Sequence, residues 1–444
     1  QYIKINRPLK ITSDSASLSL IGMVITADDV TVDGLKFSTT VNSATSALGD
    51  LISVEANNVT LTNLDINYRV TRGDYDAIAI NVCEADDVKI TNNKIVFASV
   101  ISADTYSANA INLDGVSNAL VDNNVITTTL PGLYASNYDQ TYFMMGLNTV
   151  NPVRMREVED SIFSGNTIES SLNNVGESYP TIQCLLLLGS NNVLFDSNKF
   201  KMVDTKSKLG AATYLYAFNF GYSENVTIFD NEFYMSTTSG QNAAGTAYAL
   251  QGVESSINLI GNNITTVSNG PNLGFYVSSM YGESSQLYIA DNLITVTGYA
   301  NTSEQWALIS GIEITNGDAQ IYNNTIYVLN KGDYGDSYPV SGISAVQYSA
   351  STLTFDIKDN EVSNIECEVS DLLSNVKEIK YDVITANIVA DIIIRMLPDI
   401  GKFMKKETKL ILSGIIDERC DEVHENLDKN KFKVICEPKN LFQN

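Results

Sequence analysis

A short apolar phrase bounded by polar residues recurs along most of the chain, and this repeat limits the folds open to it. The phrase is ENVTIFDNEF at 224–233, and variants are DDVKITNNKI at 86–95 and GDAQIYNNTI at 317–326. Alignment two residues before the closing apolar residue defines one anchor position in each phrase. The anchors are Leu35, Leu64, Asn93, Asn124, Asn166, Asn198, Asn231, Asn262, Asn292, Asn324 and Asn360. Neighbouring anchors are roughly 32 residues apart on average, and a period of this length indicates a repeat architecture.

The pattern inside each phrase predicts strands. Apolar residues alternate with polar ones, as at Val226 and Ile228, and stretches of helical period are missing before about residue 366. Two to three short strands in a repeat of roughly 32 residues predict an all-β, right-handed parallel β-helix over residues 1–365. We expect about eleven coils, each stacked on the last at about 4.8 Å.

The recurrent Asn is predicted to be structural. Nine of the eleven anchors are Asn. Asn tolerates the left-handed conformation that a tight corner needs, and its amide can bond to the coils above and below. We therefore expect the anchors to lie at a corner between strands and to have no part in catalysis.

Residues 1–365 also resemble a known group of proteins. The segment INRPLKITSDSASLSLIGMVITADDVTVDGLKF at 5–37, followed by coils such as NNVTLTNLDI at 57–66, resembles the pectin-lyase-like β-helix repeats of archaeal surface adhesin-like proteins. The resemblance implies a secreted or cell-surface protein that adheres and has no enzymatic activity. The same fold hosts polysaccharide lyases and glycoside hydrolases, so a polysaccharide-active enzyme stays open as the alternative.

Charge and composition narrow the range of partners. The net charge is −24, which disfavours nucleic acid, and no run of about 18 apolar residues predicts insertion into a membrane. Residues 1–365 contain no histidine, no Asp recurs at one register of three consecutive coils, and no CxxC pair occurs. We therefore predict no catalytic residue and no metal site. The carboxylate pairs Asp74/Asp76 and Asp333/Asp336 are interpreted as solvated loop acids.

Tyrosine clusters between the predicted coils and suggests a binding face. The segments are GLYASNYDQTYF at 132–143, GESYP at 176–180 and GDSYP at 335–339. Tyr179 and Tyr338 follow their anchors at nearly the same distance along the chain, which places them on one side of the helix. Tyrosine beside acids and amides suits a glycan or a protein surface, so we predict binding by Tyr138, Tyr179, Asp336 and Tyr338. The alternative is that these tyrosines only cover strand ends.

Residues 366–444 do not continue the repeat. Lys and Arg rise to 12 in 79 positions, and a helical stripe is predicted at Ile388, Ile392, Met396, Ile400 and Phe403. A strand KLILSGI, a polar helix DERCDEVHENLDKN and a strand FKVICEP follow. This order predicts a small α/β segment with parallel strands.

The tail resembles the C-terminal half of the methyltransferases that modify a large-subunit ribosomal protein, the PrmA family, over about 371–439. YDVITANI at 381–388 resembles the family's fourth strand, which implies that Asn387 lies at the end that holds cofactor and substrate. The glycine-rich turn LDVGCGSG that binds S-adenosylmethionine in the family occurs nowhere in the chain.

The missing turn sets the expectation for the tail. We expect no cofactor, and S-adenosylmethionine only if the missing N-terminal half of a methyltransferase is supplied. A ribosomal-protein methyltransferase activity carried by the tail is the remaining enzymatic alternative. The tail resembles a cytoplasmic protein and the β-helix an extracellular one, a combination typical of a chimaera.

Overall fold

The computed structural model describes two separate parts of the chain. It covers residues 1–14, 16–19, 21–41, 49–71, 76–99, 108–130, 133–134, 150–172, 180–204, 214–237, 245–268, 275–283, 285–298, 309–315, 317–330, 340–346, 354–366, 373, 380–387 and 389–435. The chain divides into two compact units, Gln1–Glu366 (unit 1) and Cys367–Asn444 (unit 2).

Unit 1 consists of parallel strands in three stacks, and each coil adds one strand to each stack in turn. Stack 1 contains Tyr2–Ile5, Gly22–Ile25, Asp50–Val54, Ala77–Asp86, Ala108–Ser117, Val150–Arg156, Pro180–Leu188, Tyr214–Gly221, Gly245–Val253, Phe275–Glu283, Ile309–Thr315 and Val340–Val346. Stack 2 contains Leu9–Thr12, Val30–Asp33, Thr60–Thr62, Lys89–Thr91, Leu120–Asp122, Glu159–Ser164, Asn191–Asp196, Val226–Phe229, Ser256–Ile260, Gln286–Ala290, Asp318–Tyr322 and Phe355–Lys358. With the short strand Leu133–Tyr134, which pairs antiparallel with Pro180 and Thr181, these two stacks form one sheet of 25 strands.

Stack 3 is a separate sheet of twelve strands. It contains Ser17–Leu18, Lys36–Val41, Asp65–Val70, Lys94–Ser99, Val125–Leu130, Thr167–Leu172, Lys199–Asp204, Glu232–Thr237, Asn263–Ser268, Leu293–Gly298, Thr325–Asn330 and Glu361–Glu366. Each anchor directly precedes one of these strands, and Ser17–Leu18 lies before the first anchor. The predicted parallel β-helix is therefore confirmed.

The core lies between the stacks because alternate side chains of every strand point inward. Val226 and Ile228 are fully buried in it, whereas Thr227 between them points outward. Aromatic side chains fill the middle coils. The rings of Phe195 and Phe218 meet edge to face at 4.7 Å, and those of Phe200 and Phe233 stack at 4.8 Å. Equivalent positions thus stack from coil to coil, as the repeat predicts.

The anchor Asn residues form a continuous hydrogen-bonded ladder at the corner between stacks 2 and 3. In the middle of the ladder, Asn231 donates from Nδ2 to Asn262 Oδ1 at 3.0 Å and to Phe195 O at 3.0 Å. Its own Oδ1 accepts from the main-chain N and from Nδ2 of Asn198, at 2.8 and 2.9 Å. The same bonds link the Asn anchors from Asn93 to Asn360. The predicted structural role is confirmed.

The expected left-handed conformation was assigned to the wrong residue. The residue before each anchor has a positive φ, for example Asn92 at 56° and Asp230 at 53°. Gly, Asn, Asp and Ser fill this position in the other coils. The anchor itself turns inward and is buried, because its side chain must reach the coils on both sides.

Unit 2 contains two parallel strands, Tyr381–Asn387 and Met404–Ser413. Helix α1, Ala390–Ile400, and a 3-10 turn, Gly401–Phe403, connect them. A second 3-10 turn, Asp417–Arg419, leads into helix α2, Cys420–Lys429. The predicted strand–helix–strand order is therefore present.

Two details of the prediction for unit 2 were wrong. Helix α1, which begins at Ala390, buries Ile393 completely, whereas Ile392 is only half-buried, and Ile388 lies outside the described residues. Met396, Ile400 and Phe403 are buried as predicted. Residues 432–435 of the predicted strand FKVICEP are not in a strand, and the side chain of Ile435 is 84% exposed there. The rest of that segment lies outside the described residues.

Candidate functional site

The outer face of stack 1 carries a set of polar side chains that are buried or half-buried although they point away from the core. In Ala77–Asp86, the side chains of Ile80 and Val82 enter the core, so Asn81 and Cys83 face outward. The strand register places the same outward positions of successive coils side by side. We call this set the outer row, and it runs in two columns. One column holds Asn109, Asn151 and Gln183, and the other holds Asn81, Asn112, Arg154, Asn219, Gln251 and Glu313. Leu186 separates Arg154 from Asn219 in the second column.

In the earlier coils the outer row is a chain of hydrogen bonds. Asn81 Nδ2 donates to Asp50 Oδ2 at 2.7 Å, and Asn112 Nδ2 donates to Asn81 Oδ1 at 2.7 Å. Arg154 Nη1 then donates to Asn112 Oδ1 at 2.8 Å. Arg154 also lies 3.3 Å from the carboxylate of Asp114. Each partner lies in a neighbouring coil, so this part of the row ties the coils together.

Arg156, two residues after Arg154 on the same strand, also binds the Asp114 carboxylate. Arg156 Nη2 lies 2.7 Å from Asp114 Oδ1, and Arg156 Nε donates to the same oxygen at 2.8 Å. The two arginines thus engage both oxygens of this carboxylate. An acid held in this way positions its neighbours and is poorly placed to take a proton from a substrate.

In other members of the outer row the side-chain amides are buried and unpaired. Both side-chain polar atoms of Asn151, Gln183 and Asn219 find no hydrogen-bond partner among the residues described, nor does Gln251 Oε1. Asn151 and Asn219 are 0% exposed and Gln251 is 4% exposed. Each unpaired buried polar group costs about 1–3 kcal/mol. A row of such amides is therefore an unusual feature that calls for a partner.

Several titratable groups on this face have shifted pKa values, and those of Glu313 and Cys83 bear on what the face can do chemically. Burial raises the pKa of Glu313 to about 7, and its Oε2 atom has no hydrogen-bond partner among the described residues. Burial, with smaller contributions from the Asp114 and Asp50 carboxylates, raises the pKa of the Cys83 thiol to about 11. The Cys83 thiol is therefore protonated at neutral pH and unsuited to nucleophilic attack. Glu313 can exchange a proton near neutral pH.

Metal binding and membrane crossing have no support in the described residues. Within these ranges, no group of three or more His, Cys, Asp or Glu side chains is arranged to hold a metal ion. The helices described are too short or too polar to span a bilayer.

The four binding residues predicted from sequence, Tyr138, Tyr179, Asp336 and Tyr338, lie outside the described residues, and their role stays a prediction. Their position in the chain is nevertheless informative. Tyr179 directly precedes the stack 1 strand Pro180–Leu188, and the other segments likewise connect stack 3 to stack 1. The predicted loops therefore lead into the strands that carry the outer row.

Asn387, predicted from the methyltransferase resemblance, ends its strand and lies opposite Ser413 in the parallel pair. It therefore lies at the carboxyl end of this small sheet, and its role at a cofactor or substrate site stays a prediction.

The outer row itself was missed by sequence reasoning. The sequence signal for the outer row was an Asn or Gln at the same position in neighbouring coils. The register pairs Asn81 with Asn112 and Asn219 with Gln251 in this way. Polar residues on a strand are ordinarily taken as solvated, so the sequence did not indicate their burial.

The comparisons with known proteins match the two parts of the chain to different proteins. A sequence model of the ribosomal protein L11 methyltransferase family (PrmA) matches residues 343–440. The L11 methyltransferase of Thermosipho melanesiensis is 46% identical over 81 residues, which cover 18% of this chain and 31% of the relative. That of Caldanaerobacter subterraneus subsp. tengcongensis is 40% identical over 101 residues, covering 23% and 32%. The chain thus spans about a third of the length of these relatives.

The match confirms the resemblance of the tail and extends it upstream. It begins at residue 343 rather than about 371, and therefore includes the last strands of unit 1.

Among solved structures, the similarity is to β-helix proteins. The A-module of mannuronan C-5 epimerase AlgE6 from Azotobacter vinelandii has a TM-score of 0.33 and 10% identity, over 82% of this chain and 90% of that one. The adhesin PfbA of Streptococcus pneumoniae has a TM-score of 0.26 and 10% identity, over 82% and 91%. At these identities and TM-scores the likeness supports no conclusion about what this chain does.

Proposed function

We propose that unit 1 is a non-enzymatic β-helix of the cell surface or extracellular space, and that it binds an extended glycan along the outer row. The observation that carries this proposal is the set of buried amides without partners, within the described residues, at Asn151, Gln183 and Asn219. Asn151 and Gln183 lie side by side in one column at about 4.8 Å, and Asn219 lies in the other column one coil further on. Amides spread over successive coils suit a polymer better than a small molecule.

The chemistry of the row favours a polyhydroxyl partner. A side-chain amide donates through nitrogen and accepts through oxygen, and a sugar hydroxyl does both as well. Because these amides are almost completely buried, a glycan must first displace the groups that cover them. It can then satisfy both ends of each amide, whereas a carboxylate or a phosphate could satisfy only the nitrogen. The net charge of −24 also opposes polyanions.

The test compares glycan binding with stability. A glycan array probed with the full chain is expected to give a hit that Asn219→Leu and Gln183→Leu abolish. Because Leu removes an unpaired polar group, both variants should keep or raise the melting temperature. Binding that survives both substitutions would overturn the proposal, as would a blank array for the parent protein.

The predicted tyrosines give a second arm of this test. Tyr179→Ala and Tyr338→Ala are each expected to weaken the same glycan by about 1–2 kcal/mol, with little change in melting temperature. If the tyrosines only cover strand ends, alanine lowers the melting temperature instead and binding is unchanged.

One observation favours catalysis on the same face as a second candidate. Glu313, whose pKa burial raises to about 7, could act as a general acid or base on a bound polysaccharide. This candidate predicts glycan turnover that Glu313→Gln removes while binding is retained. Absence of cleavage products from every glycan that binds would exclude it.

For unit 2 we propose that the chain alone neither binds S-adenosylmethionine nor transfers methyl groups. The first turn of helix α1 presents Asp391, whose carboxylate lies 2.6 Å from Arg419, and Val389 before the helix makes no capping bond through its side chain. A cofactor cradle of this fold type needs a glycine-rich turn before a helix N-terminus, and the sequence has none resembling the family's. These residues do not fit the cofactor, so no methyl-transfer step follows from them.

Isothermal titration calorimetry of the full chain with S-adenosylmethionine is expected to show no heat of binding. Micromolar affinity that Asn387→Ala removes would overturn this account of unit 2.

A further inference from the structure

The outer face of stack 2 carries a groove on a different side of unit 1 from the outer row. It consists of two cavities of about 580 and 420 Å³ that share Ser256 and Gln286. The larger cavity continues along Asn258, Tyr288 and Gln320. The smaller one turns onto the corner between stacks 1 and 2.

The groove is built from equivalent positions of successive coils. Ser256 pairs with Gln286, and Gln286 with Asp318. Two residues further along the same strands, the register sets side by side Asn258, Tyr288, Gln320 and Asp356. From Glu224 at one end to Thr354 at the other, five coils contribute, or about 19 Å at about 4.8 Å per step. The groove therefore repeats one polar unit per coil.

The charges along the groove are mostly negative. Glu224 and Glu254 line the smaller cavity, and Asp318 and Asp356 the larger one. Lys358 is close by, but its Nζ lies 2.7 Å from Asp356 Oδ2 and offsets only that carboxylate. Charge complementarity thus favours a cationic occupant.

The strands of the groove are closed to strand addition. Gln286–Ala290 is paired on one side with Ser256–Ile260 and on the other with Asp318–Tyr322. Its main-chain groups are therefore engaged within the sheet, and an extended peptide cannot bind here by joining the sheet edge. Recognition has to come from the outward side chains, which are amides, hydroxyls, carboxylates and the ring of Tyr288.

We propose that this groove binds an extended polysaccharide with free amino groups. The amides of Asn258 and Gln320 bond to hydroxyls, the ring of Tyr288 packs on a sugar face, and the carboxylates attract the ammonium groups. A basic peptide shares the charge but not the repeating hydroxyls, and it is the competing outcome of the test. This site is separate from the glycan site proposed on stack 1.

The test is calorimetric titration of the full chain with a hexamer of glucosamine, a hexamer of N-acetylglucosamine and hexalysine. The glucosamine hexamer is expected to bind, and more weakly at high salt because the carboxylates are screened. Gln320→Ala and Tyr288→Ala should each weaken it about tenfold. Gln320 is exposed, so its variant tests the groove even if Tyr288→Ala, which loses a ring contact with Tyr322, reduces stability.

Two controls separate this groove from other sites. Thr60 lies in the same outward column of stack 2 as Asn258 but several coils away. Thr60→Ala should therefore leave the affinity for the glucosamine hexamer unchanged. Asn219→Leu, which tests the outer row, should also have no effect. The proposal is overturned by no binding at millimolar concentration, by affinity insensitive to Gln320→Ala, by equal binding of the acetylated hexamer, or by hexalysine binding equally through the same residues.

Discussion

Asn219 and Asn231 lie in the same coil, are 0% and 1% exposed, and carry the same side chain, yet their surroundings are opposite. Asn231 belongs to the corner ladder, where its amide bonds to the coils on either side. Asn219 belongs to the outer row, and neither polar atom of its side chain has a partner among the described residues. Burial alone therefore does not tell an amide that ties the coils together from one that has no partner, whereas the state of its hydrogen bonds does.

The physical reason is the cost of desolvation. An amide in the ladder exchanges water for protein partners at no net loss, so it stabilises the stack. An unpaired amide of the outer row, such as that of Asn219, gives up water without compensation, which natural proteins accept mainly at sites that serve another purpose.

The largest effect is expected from a substitution that breaks the Asn ladder. Asn231→Leu should lower the free energy of unfolding of unit 1 by about 3 kcal/mol, because Phe195 O and the main-chain N of Asn198 lose their buried partner. Urea denaturation checks it. The same change at Asn67, an exposed outward position of stack 3, is the control and should cost well under about 1 kcal/mol. Similar losses at both sites would show that the ladder is not a special feature.

The next effect depends on pH and concerns Glu313. Burial raises the pKa of this carboxyl from 4.5 to about 7 in the folded protein, so the folded state holds its proton more tightly than the unfolded state. Its stabilising contribution is full below pH 4.5 and is lost as the pH rises through about 7. Glu313→Gln should therefore be close to the parent in stability at about pH 4 and more stable by roughly 3 kcal/mol at about pH 8.

Melting curves of the parent and Glu313→Gln across this pH range provide the measurement. A stability difference that does not change with pH would mean that Glu313 is not buried as the structure shows. A difference of the opposite sign at the alkaline end would mean that the ionised carboxylate has a partner.

The smallest effect is expected at Asn219. Asn219→Leu removes an unpaired polar group, so the free energy of unfolding should stay the same or rise by up to about 1 kcal/mol. The change in unfolding free energy for Asn219→Leu is compared with that for Asn231→Leu in the same coil, which tests directly whether the two buried amides differ in role. A loss as large as that at Asn231 would show that Asn219 has a structural partner after all.

Much of the fold could be predicted because its signal is local and repeated. Each coil presents inward apolar residues such as Val226 and Ile228 and then an Asn at a fixed place, and a period of roughly 32 residues fits stacked coils. The left-handed residue was misplaced by one position because both Asn92 and Asn93 are Asn, and sequence cannot tell which side chain turns inward.

The candidate sites could be predicted far less well. Asn112 bonds to Arg154, a residue 42 positions away, because one coil interval is longer than the others. Which outward residues become neighbours depends on the register of every intervening coil. Because the loops absorb differences in coil length, the spacing of two residues along the chain does not reveal whether they become neighbours.

By itself, the sequence determined the repeat, the parallel strands, the structural Asn corner and the change of architecture near residue 366, because these follow from short-range periodicity. Tertiary structure alone decided which amides are paired, which acid is buried and where the outward side chains line a groove. These properties depend on contacts between residues one full coil apart in the chain, such as Asn81 with Asn112 and Asn112 with Arg154. Burial and hydrogen bonding are set by such neighbours, and no single coil carries them in its own sequence.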